Sequence, residues 1–561
     1  MTPAPRRPSA PRGRLAAAAV AAGIFLSRVA GLVRERVFAH YLGSDASAGA
    51  FRAALRIPNL LQTLFGEGAL SASFIPVYAR LLAEGRREDA AKVAGTVSAA
   101  LALVASVIVV CGVTWADGLV ALLAPGFSED ARQETVLLVR LMFPGVGLLV
   151  LSAWCLGVLN SHRRFFLSYV APVLWNVAII AAIVLAAAGW LEAAWIGQLV
   201  GGRAEAAAEC LAAAAELARW AAVGVTVGSA LQLLVQLPGA WRANGGVLFA
   251  WQLRAAGFRD VLRNFLPALG ARGVVQISAY IDQVLSSFLG ATMVAAIAYA
   301  QTIALLPVSL FGVAIAAAEL PEMASARGDQ AAVAEALRLR LRASLARLIV
   351  FVAPSTVALL LIGDAVIATL LRTGSFDATD QAVVRGILAA MAVSLPWATR
   401  GRLFSSAFWA LGDTRTTAWT ALARVTFGAV VGWTVVFPVR AHFELGADVA
   451  AVWLVGGAGV AAIVECVVLG YLLDRRIGGV PHDFGHRARV WGAALLAGAA
   501  AYGGGKAWPE AWLTRWPYPW LWGIGVMAVF GVVYGVLGYW LGVSEIRALA
   551  RRVAAKLGAR G

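Results

Sequence analysis

Successive apolar runs of about 20 residues, bounded by charges or by Gly and Pro clusters, constrain this chain more than any other feature. At 1.5 Å per residue a helix of that length crosses the hydrocarbon of a bilayer, and no soluble domain buries so many of them. The runs lie near 15–40, 51–80, 93–116, 134–160, 165–190, 220–238, 265–288, 292–320, 348–371, 382–411, 416–437, 449–473, 490–508 and 518–541, roughly fourteen in all. With 60% of the 561 residues hydrophobic and 14% charged, the expected fold is an all-α integral membrane protein. The runs are continuous and rich in Ala, Leu and Val, where an outer-membrane β-barrel would alternate apolar and polar residues.

The formal charge of +16 is explained by its placement. With the N-terminus inside, the inner segments collect Arg6, Arg7, Arg12 and Arg14 at the start and Arg80, Arg86, Arg87 and Lys92 after the second run. Further clusters fall at 242–263, 327–347 and 475–489, and Arg547, Arg551, Arg552, Lys556 and Arg560 close the chain. The outer segments hold Arg132, Arg203, Arg219, Arg372, Arg440, Lys506 and Arg515, roughly a fourfold deficit. This bias predicts both termini in the cytoplasm and an even number of spans, and no nucleic-acid partner is needed to account for it. The basic start followed by an Ala-rich stretch has the outline of a secretory signal, yet the apolar run continues through Arg28 with no change of character, so no cleaved signal is expected.

Eleven basic residues remain within or at the ends of the runs: Arg28, Arg34, Arg36, Arg52, Arg56, Arg140, Arg272, Arg385, Arg400, Arg402 and Arg424. Each costs about 3 kcal/mol near the bilayer centre unless it meets water or an anion. Arg34, Arg36, Arg52 and Arg56 read equally well as side chains snorkelling from helix ends. Arg28 does not, because Leu15–Leu26 and Val29–Val33 flank it with apolar residues. Guanidinium forks match phosphate oxygens, so arginines gathered in the first two runs point to an anion site. Glu67, Asp282, Glu319 and Glu465 also lie in or near runs, where a carboxylate either pairs with an arginine or serves a coupling ion.

Enzymatic readings find little support. There is no GxxxxGK[ST] loop and no HExxH pair, and the five histidines, His40, His162, His442, His482 and His486, fall mostly in loops. Cys111, Cys155, Cys210 and Cys466 are far apart and form no CxxC pair, so they read as buried small hydrophobes, with no disulfide or metal site.

The chain also repeats itself. Ser27-Arg28 leading to Tyr41-Leu42-Gly43 is echoed by Ala271-Arg272 leading to Phe288-Leu289-Gly290, and Phe65-Gly66-Glu67 before Pro76 by Phe311-Gly312-Val313 before Pro321. Pro144 with Leu159-Asn160 returns as Pro396 with Leu411-Gly412-Asp413. Offsets of roughly 245 to 252 residues in the same order predict two six-helix lobes related by a parallel repeat, followed by two extra helices. The corresponding division is 1–14, a basic cytoplasmic tail; 15–238, an N-lobe; 239–263, an interlobe linker; 264–473, a C-lobe; and 474–561, two further spans and a basic tail. Trp241, Phe249, Trp251 and Phe258 among the arginines of the linker suggest a helix lying on the inner membrane surface. The Ala/Glu-rich stretch Glu192–Arg219 reads as a short external helix, a solvated insertion. Pro58, Gly66, Gly68, Pro307 and Gly312 make the second and eighth spans breakable, a feature that serves either a bending gate or static packing.

Three motifs carry a resemblance. Ser27-Arg28-Val29-Ala30-Gly31-Leu32-Val33-Arg34-Glu35, Arg56-Ile57-Pro58-Asn59-Leu60-Leu61 and the run from Phe65-Gly66-Glu67 to Pro76-Val77-Tyr78 together resemble the signature of the MurJ/MviN family. That family comprises lipid II flippases of the multidrug/oligosaccharidyl-lipid/polysaccharide exporter superfamily. Ala124-Pro125-Gly126-Phe127, Gly157-Val158-Leu159-Asn160 and Ala171-Pro172 with Asn176 extend the similarity along nearly the whole chain.

The resemblance implies a multi-pass transporter of the bacterial cytoplasmic membrane, with no catalytic residue and no cofactor. It would carry lipid II, an undecaprenyl-pyrophosphate-linked disaccharide-pentapeptide, to the outer leaflet for peptidoglycan synthesis, among membrane lipids and in company with the cell-wall synthesis machinery. It also implies a cationic cavity between lobes, to which Arg28, Arg34 and Arg56 match by position, with Glu67 as the acidic residue of the second span. The chain departs from the family pattern at Gly49, where many members have Asp, at Gln62-Thr63, where they have a basic pair, and at Gln301-Thr302, where they have Asp-Arg. Arg272 or Arg52 is the expected substitute for the missing eighth-span arginine. Asp282 matches a carboxylate that in some members joins a sodium site, but the eleventh span offers only Thr426 and Thr434. The expected drive is therefore the membrane potential or a proton gradient rather than a complete sodium cage. Exporters of another polyprenyl-linked glycan or of a cationic drug, and a membrane-embedded transferase or scaffold, are the competing readings; the arginines favour an anionic lipid over a cationic drug.

Overall fold

The computed structural model describes residues 10–64, 70–189, 209–255, 257–313, 315, 319, 323, 330–479, 483–507 and 519–558. Packing divides the chain into two compact units, Met1–Ala295 and Ala296–Gly561. This cut differs from the division by internal repeat, which starts the second half at residue 264.

In the first unit the helices are α1 (Ala10–Leu42), α2 (Ala46–Leu61), α3 (Ser71–Ala83), α4 (Arg87–Thr114), α5 (Ala116–Leu123), α6 (Glu129–Ser161), α7 (Phe165–Ala187), α8 (Glu209–Ala243) and α9 (Phe258–Ser287). Next comes α10 (Ala291–Pro307), whose first turn belongs to this unit. Helix α8 packs along α6 and α7, α1 lies on α7, and α6 also receives α2 and α4. Phe74, Tyr78, Val93, Val97, Trp154 and Val158 form a core shared by α3, α4 and α6. Apolar flanks such as Leu103, Val107 and Val110 on α4 stay exposed, as expected of surfaces that face lipid.

The second unit continues with α11 (Gln330–Leu361), α12 (Gly363–Leu370), α13 (Ala378–Ala410), α14 (Thr414–Thr434), α15 (Ala447–Ile477), α16 (Phe484–Lys506), α17 (Pro519–Trp540) and α18 (Ser544–Gly558). Its core is built by Leu337 and Leu341 of α11, Leu403, Phe404 and Phe408 of α13, and Cys466, Leu469 and Leu473 of α15. Helices α16 and α17 pack on each other and on α11 and α12.

Every predicted run overlaps at least one described helix. Ten described helices are long and apolar enough to cross a membrane. The other four positions fall on α1, α9 and α16, whose apolar runs are diluted by arginine or glycine, and on α2 with α3, where the run is cut. The repeat echo also has a structural counterpart: Gly43 after α1 and Gly290 after α9 both take the left-handed conformation that ends a helix, at φ 53° and 100°.

Several boundaries differ from expectation. The run 51–80 is not one helix, because α2 gives way to a wide π-turn at Gln62–Leu64 beyond Pro58. Pro307 likewise ends α10 and a π-helix follows at Val308–Val313, with Gly312 buried against Thr399. Gly66, Glu67 and Gly68 lie outside the described residues. The run 348–371 breaks at Ile362, and its helix begins far earlier, at Gln330. Arg338, Arg340, Arg342 and Arg347 are therefore helical and not in a loop, since Ala, Leu and Arg sustain a helix beyond the apolar stretch that hydropathy detects. The linker is not a surface helix between Asn244 and Gly257: Gly245 and Gly246 have φ of 67° and 81°, and the segment turns over α4, where Ala250 N–H donates to the Gly95 carbonyl at 3.0 Å. Glu209–Arg219 is no separate external helix but the start of α8, in which Arg219 pairs with Glu134 of α6 at 2.7 Å; residues 192–208 lie outside the described set. Cys155 and Cys466 are buried as expected, whereas Cys111 is exposed on the apolar flank of α4.

Candidate functional site

The candidate anion site is assembled by α1 and α2, with contributions from α7 and α9. Along α1, Arg28, Arg34 and Glu35 fall within the last four turns. Arg28 is exposed, Arg34 is partly buried, and Glu35 keeps only 3% of its surface. A carboxylate so deeply buried is tolerable only if paired. Arg34 donates to Glu35 Oε1 at 2.5 Å, while Arg52 on α2 donates from Nη1 to Oε1 at 3.1 Å and from Nη2 to Oε2. Two guanidiniums thus share one carboxylate.

Aromatic rings complete the setting. The Arg34 guanidinium stands 5.2 Å from the Trp175 ring centroid on α7, and that of Arg52 stands 4.7 Å from Phe38. Both distances suit cation–π contacts, which hold the planar groups without consuming their hydrogen-bond donors.

Arg56, one turn beyond Arg52, turns to α9. Its Nη2 donates to the Ala279 carbonyl at 3.0 Å, the Tyr280 hydroxyl donates to the Arg56 carbonyl at 3.4 Å, and the Asp282 carboxylate acts on it electrostatically. An apolar cavity of about 480 Å³ opens beside this junction, lined by Leu60, Leu64, Leu123, Ile277, Tyr280 and Leu285 among others. Its size falls within the range of ligand pockets. Arg272 lies at the middle of α9.

The structure accordingly brings together Arg34, Arg52 and, through α9, Arg56 with Asp282. It adds Glu35, which the sequence reading quoted within a motif without a role. The signal was present: an acidic residue inside an arginine-rich apolar helix has to find a cation. Of the other intramembrane carboxylates, Glu319 pairs with Arg347 at 2.6 Å and Glu465 with Arg424 at 3.1 Å, so both are engaged by arginine.

The departure at Gly49 also has a structural reason. A Cβ there would stand 1.9 Å from the carbonyl oxygen of Ala291 at the start of α10, so only glycine permits this backbone contact. Gln301 and Thr302 sit partly buried on α10, where the Thr302 hydroxyl returns its hydrogen to the Ala298 carbonyl at 3.0 Å.

Comparison with known proteins identifies the family. Residues 38–518 match the family model described as lipid II flippase MurJ. The chain is 32% identical over 397 residues to the lipid II flippase MurJ of Burkholderia cenocepacia, covering 70% of this chain and 72% of the relative. It is 30% identical over 442 residues to the probable lipid II flippase MurJ of Rhizobium tropici, covering 76% of each. Among solved structures, a lipid II flippase MurJ in an inward closed conformation superposes with a TM-score of 0.73 at 20% identity, covering 94% of this chain and 99% of the other. An inward-facing MATE family transporter of the MOP superfamily gives 0.61 at 17% identity, covering 80% and 95%. These structural likenesses define the fold, and the extent of the family match settles membership: this chain is a multi-pass membrane transporter belonging to the lipid II flippase MurJ family.

Proposed function

We propose that the protein moves lipid II from the inner to the outer leaflet of the cytoplasmic membrane by alternating access, with both termini cytoplasmic. The observation that carries this reading is the arginine cluster of Arg34 and Arg52 around the buried Glu35, with Arg28 nearby on α1 and Arg56 one turn along α2. A pyrophosphate cannot cross hydrocarbon unaided, and guanidinium forks supply both charge and directed donors. Arg28 and Arg34 meet the pyrophosphate, Arg56 extends the basic surface along α2, and Glu35 keeps Arg52 in position.

The drive is the membrane potential or a proton gradient, with Asp282 as the candidate coupling carboxylate because it faces a cation, Arg56, on the neighbouring helix. The π-turns beyond Pro58 and Pro307 are the places where α2 and α10 bend. A second reading, export of another polyprenyl-linked glycan, draws support from the uncharged Gln301-Thr302 of α10.

Expression in cells depleted of their own lipid II flippase tests the proposal, with growth and the outer-leaflet accessibility of lipid II as readouts. Rescue by the wild-type chain, lost in an equally abundant Arg28→Ala variant, is the expected result. Correct insertion without rescue shifts the assignment to a different polyprenyl-linked substrate.

A further inference from the structure

In the second unit two arginines gather around one carboxylate. Three arginines of α11, α13 and α15 each have a carboxylate of their own: Arg347 meets Glu319 at 2.6 Å, Arg385 meets Asp364 at 2.6 Å, and Arg476 meets Asp413 at 2.7 Å. Around Glu465 of α15 the count is different. Arg424 of α14 places Nε 3.1 Å from Glu465 Oε2, and Arg402 of α13 lies within electrostatic reach of both. Among the described residues Arg402 has no carboxylate at ion-pair distance, and Arg400, one residue pair earlier, stacks its guanidinium 4.9 Å over the Phe404 ring.

One carboxylate thus serves at least two guanidiniums. The Arg424–Glu465 contact is an ion pair without hydrogen-bond alignment, because the Arg424 Nε–H is aimed at no acceptor. Arg402 keeps an exposed side chain, so an incoming anion can reach it. All these residues lie inside long apolar helices, where an unmatched arginine is costly unless an anion or water reaches it.

We propose that Arg402 and Arg424, with Glu465 as their internal counter-ion, form a second anion subsite, which takes the phosphate or pyrophosphate group of an anionic lipid. The ligand's identity rests on the flippase reading above; the geometry does not. In this subsite Glu465 holds Arg424 until an anion arrives, and the incoming phosphate competes with the carboxylate for the guanidinium fork. Opposite signs follow. Removing Arg402 weakens anion binding, whereas removing the Glu465 charge releases Arg424 and strengthens it.

The full chain in lipid nanodiscs provides the test, with undecaprenyl pyrophosphate and inorganic pyrophosphate as separate probes and binding followed by native mass spectrometry. Arg402→Gln is expected to weaken binding of the lipid pyrophosphate about tenfold without a matching fall in melting temperature, since it removes charge-assisted hydrogen bonds. Arg402→Lys, which keeps the charge and loses the fork, should fall between. Glu465→Gln should bind at least as tightly as wild type. If Arg402→Gln binds like wild type, or if Glu465→Gln and Arg424→Gln only destabilise the protein to the same degree, the residues are a structural ion pair and the proposal is overturned. Loss of inorganic pyrophosphate binding alone, with the lipid unaffected, overturns the lipid assignment. Translocation of lipid II by the unaltered chain is measured in parallel: its absence counts against the flippase reading, while the Arg402 and Glu465 comparison still decides the subsite.

Discussion

Arg52 on α2 grips Glu35 on α1 with both terminal nitrogens of its guanidinium, while Arg34 takes the same carboxylate from its own helix. One buried acid thereby ties the first two helices together.

Replacing that acid exposes the dependence. Glu35→Gln leaves Arg34 and Arg52, at 18% and 10% side-chain exposure, without their anion, and stability should fall by about 3 kcal/mol. Thermal unfolding in detergent reads the loss. An unchanged melting temperature shows that the pair contributes nothing to the fold.

At Gly49 the prediction is steric. The smallest side chain already overlaps the Ala291 carbonyl, so Gly49→Ala should destabilise by about 1–3 kcal/mol and Gly49→Asp by more. Detergent melting curves and expression level rank the series, and an alanine variant as stable as wild type refutes the contact.

Tyr78 of α3 ties the turn after α6 to the linker. Its hydroxyl donates to Asn244 Oδ1 at 3.1 Å and must therefore accept from His162 Nε2 at 3.0 Å, which selects the Nε2–H tautomer of the neutral ring. Burial, then Arg164 and Arg87, hold the His162 pKa below its ordinary 6.5. A lowered histidine contributes stability that is present above pH 6.5 and is lost as pH falls through the folded value. His162→Gln should narrow the stability difference between pH 7.5 and pH 5.5, whereas Tyr78→Phe should cost about 1–2 kcal/mol at pH 7.5. Melting temperatures at the two pH values check both.

Asp413 caps α14 by accepting from the Thr416 amide at 2.9 Å and its hydroxyl at 2.7 Å, with Arg476 alongside. The Thr416 amide first, then its hydroxyl, hold this carboxyl below its ordinary value of 3.8. A depressed carboxylate stabilises above the unfolded pKa, so the wild-type advantage over Asp413→Ala, about 1 kcal/mol, should be full at neutral pH and shrink as pH drops below 3.8. A gap that stays constant down to pH 3 rules this out.

The helices were legible because an apolar run marks where a helix can cross hydrocarbon, and ten of the fourteen runs fall on described helices long and apolar enough to span. Their continuations were not: the basic start of α11 and the Ala/Glu-rich start of α8 are helical through local propensity, to which a membrane scale is blind. The linker misled because aromatic and arginine residues suggested an interfacial helix, while Gly245 and Gly246 allowed a turn onto α4. At the candidate site the arginines stood out as costly residues in apolar sequence. Which of them share a carboxylate depends on contacts between residues such as Glu35 and Arg52 that no local pattern encodes. Gly49 was visible as a departure from the family pattern, but its partner lies far along the chain at Ala291.

That backbone contact between Gly49 and Ala291 has a corollary for engineering. With the two backbones touching, any side chain at position 49 requires the first turn of α10 to move, so a single substitution there meets a steric barrier. Transplanting into this chain an α2 with a side chain at that position therefore demands that a matching first turn of α10 travel with it.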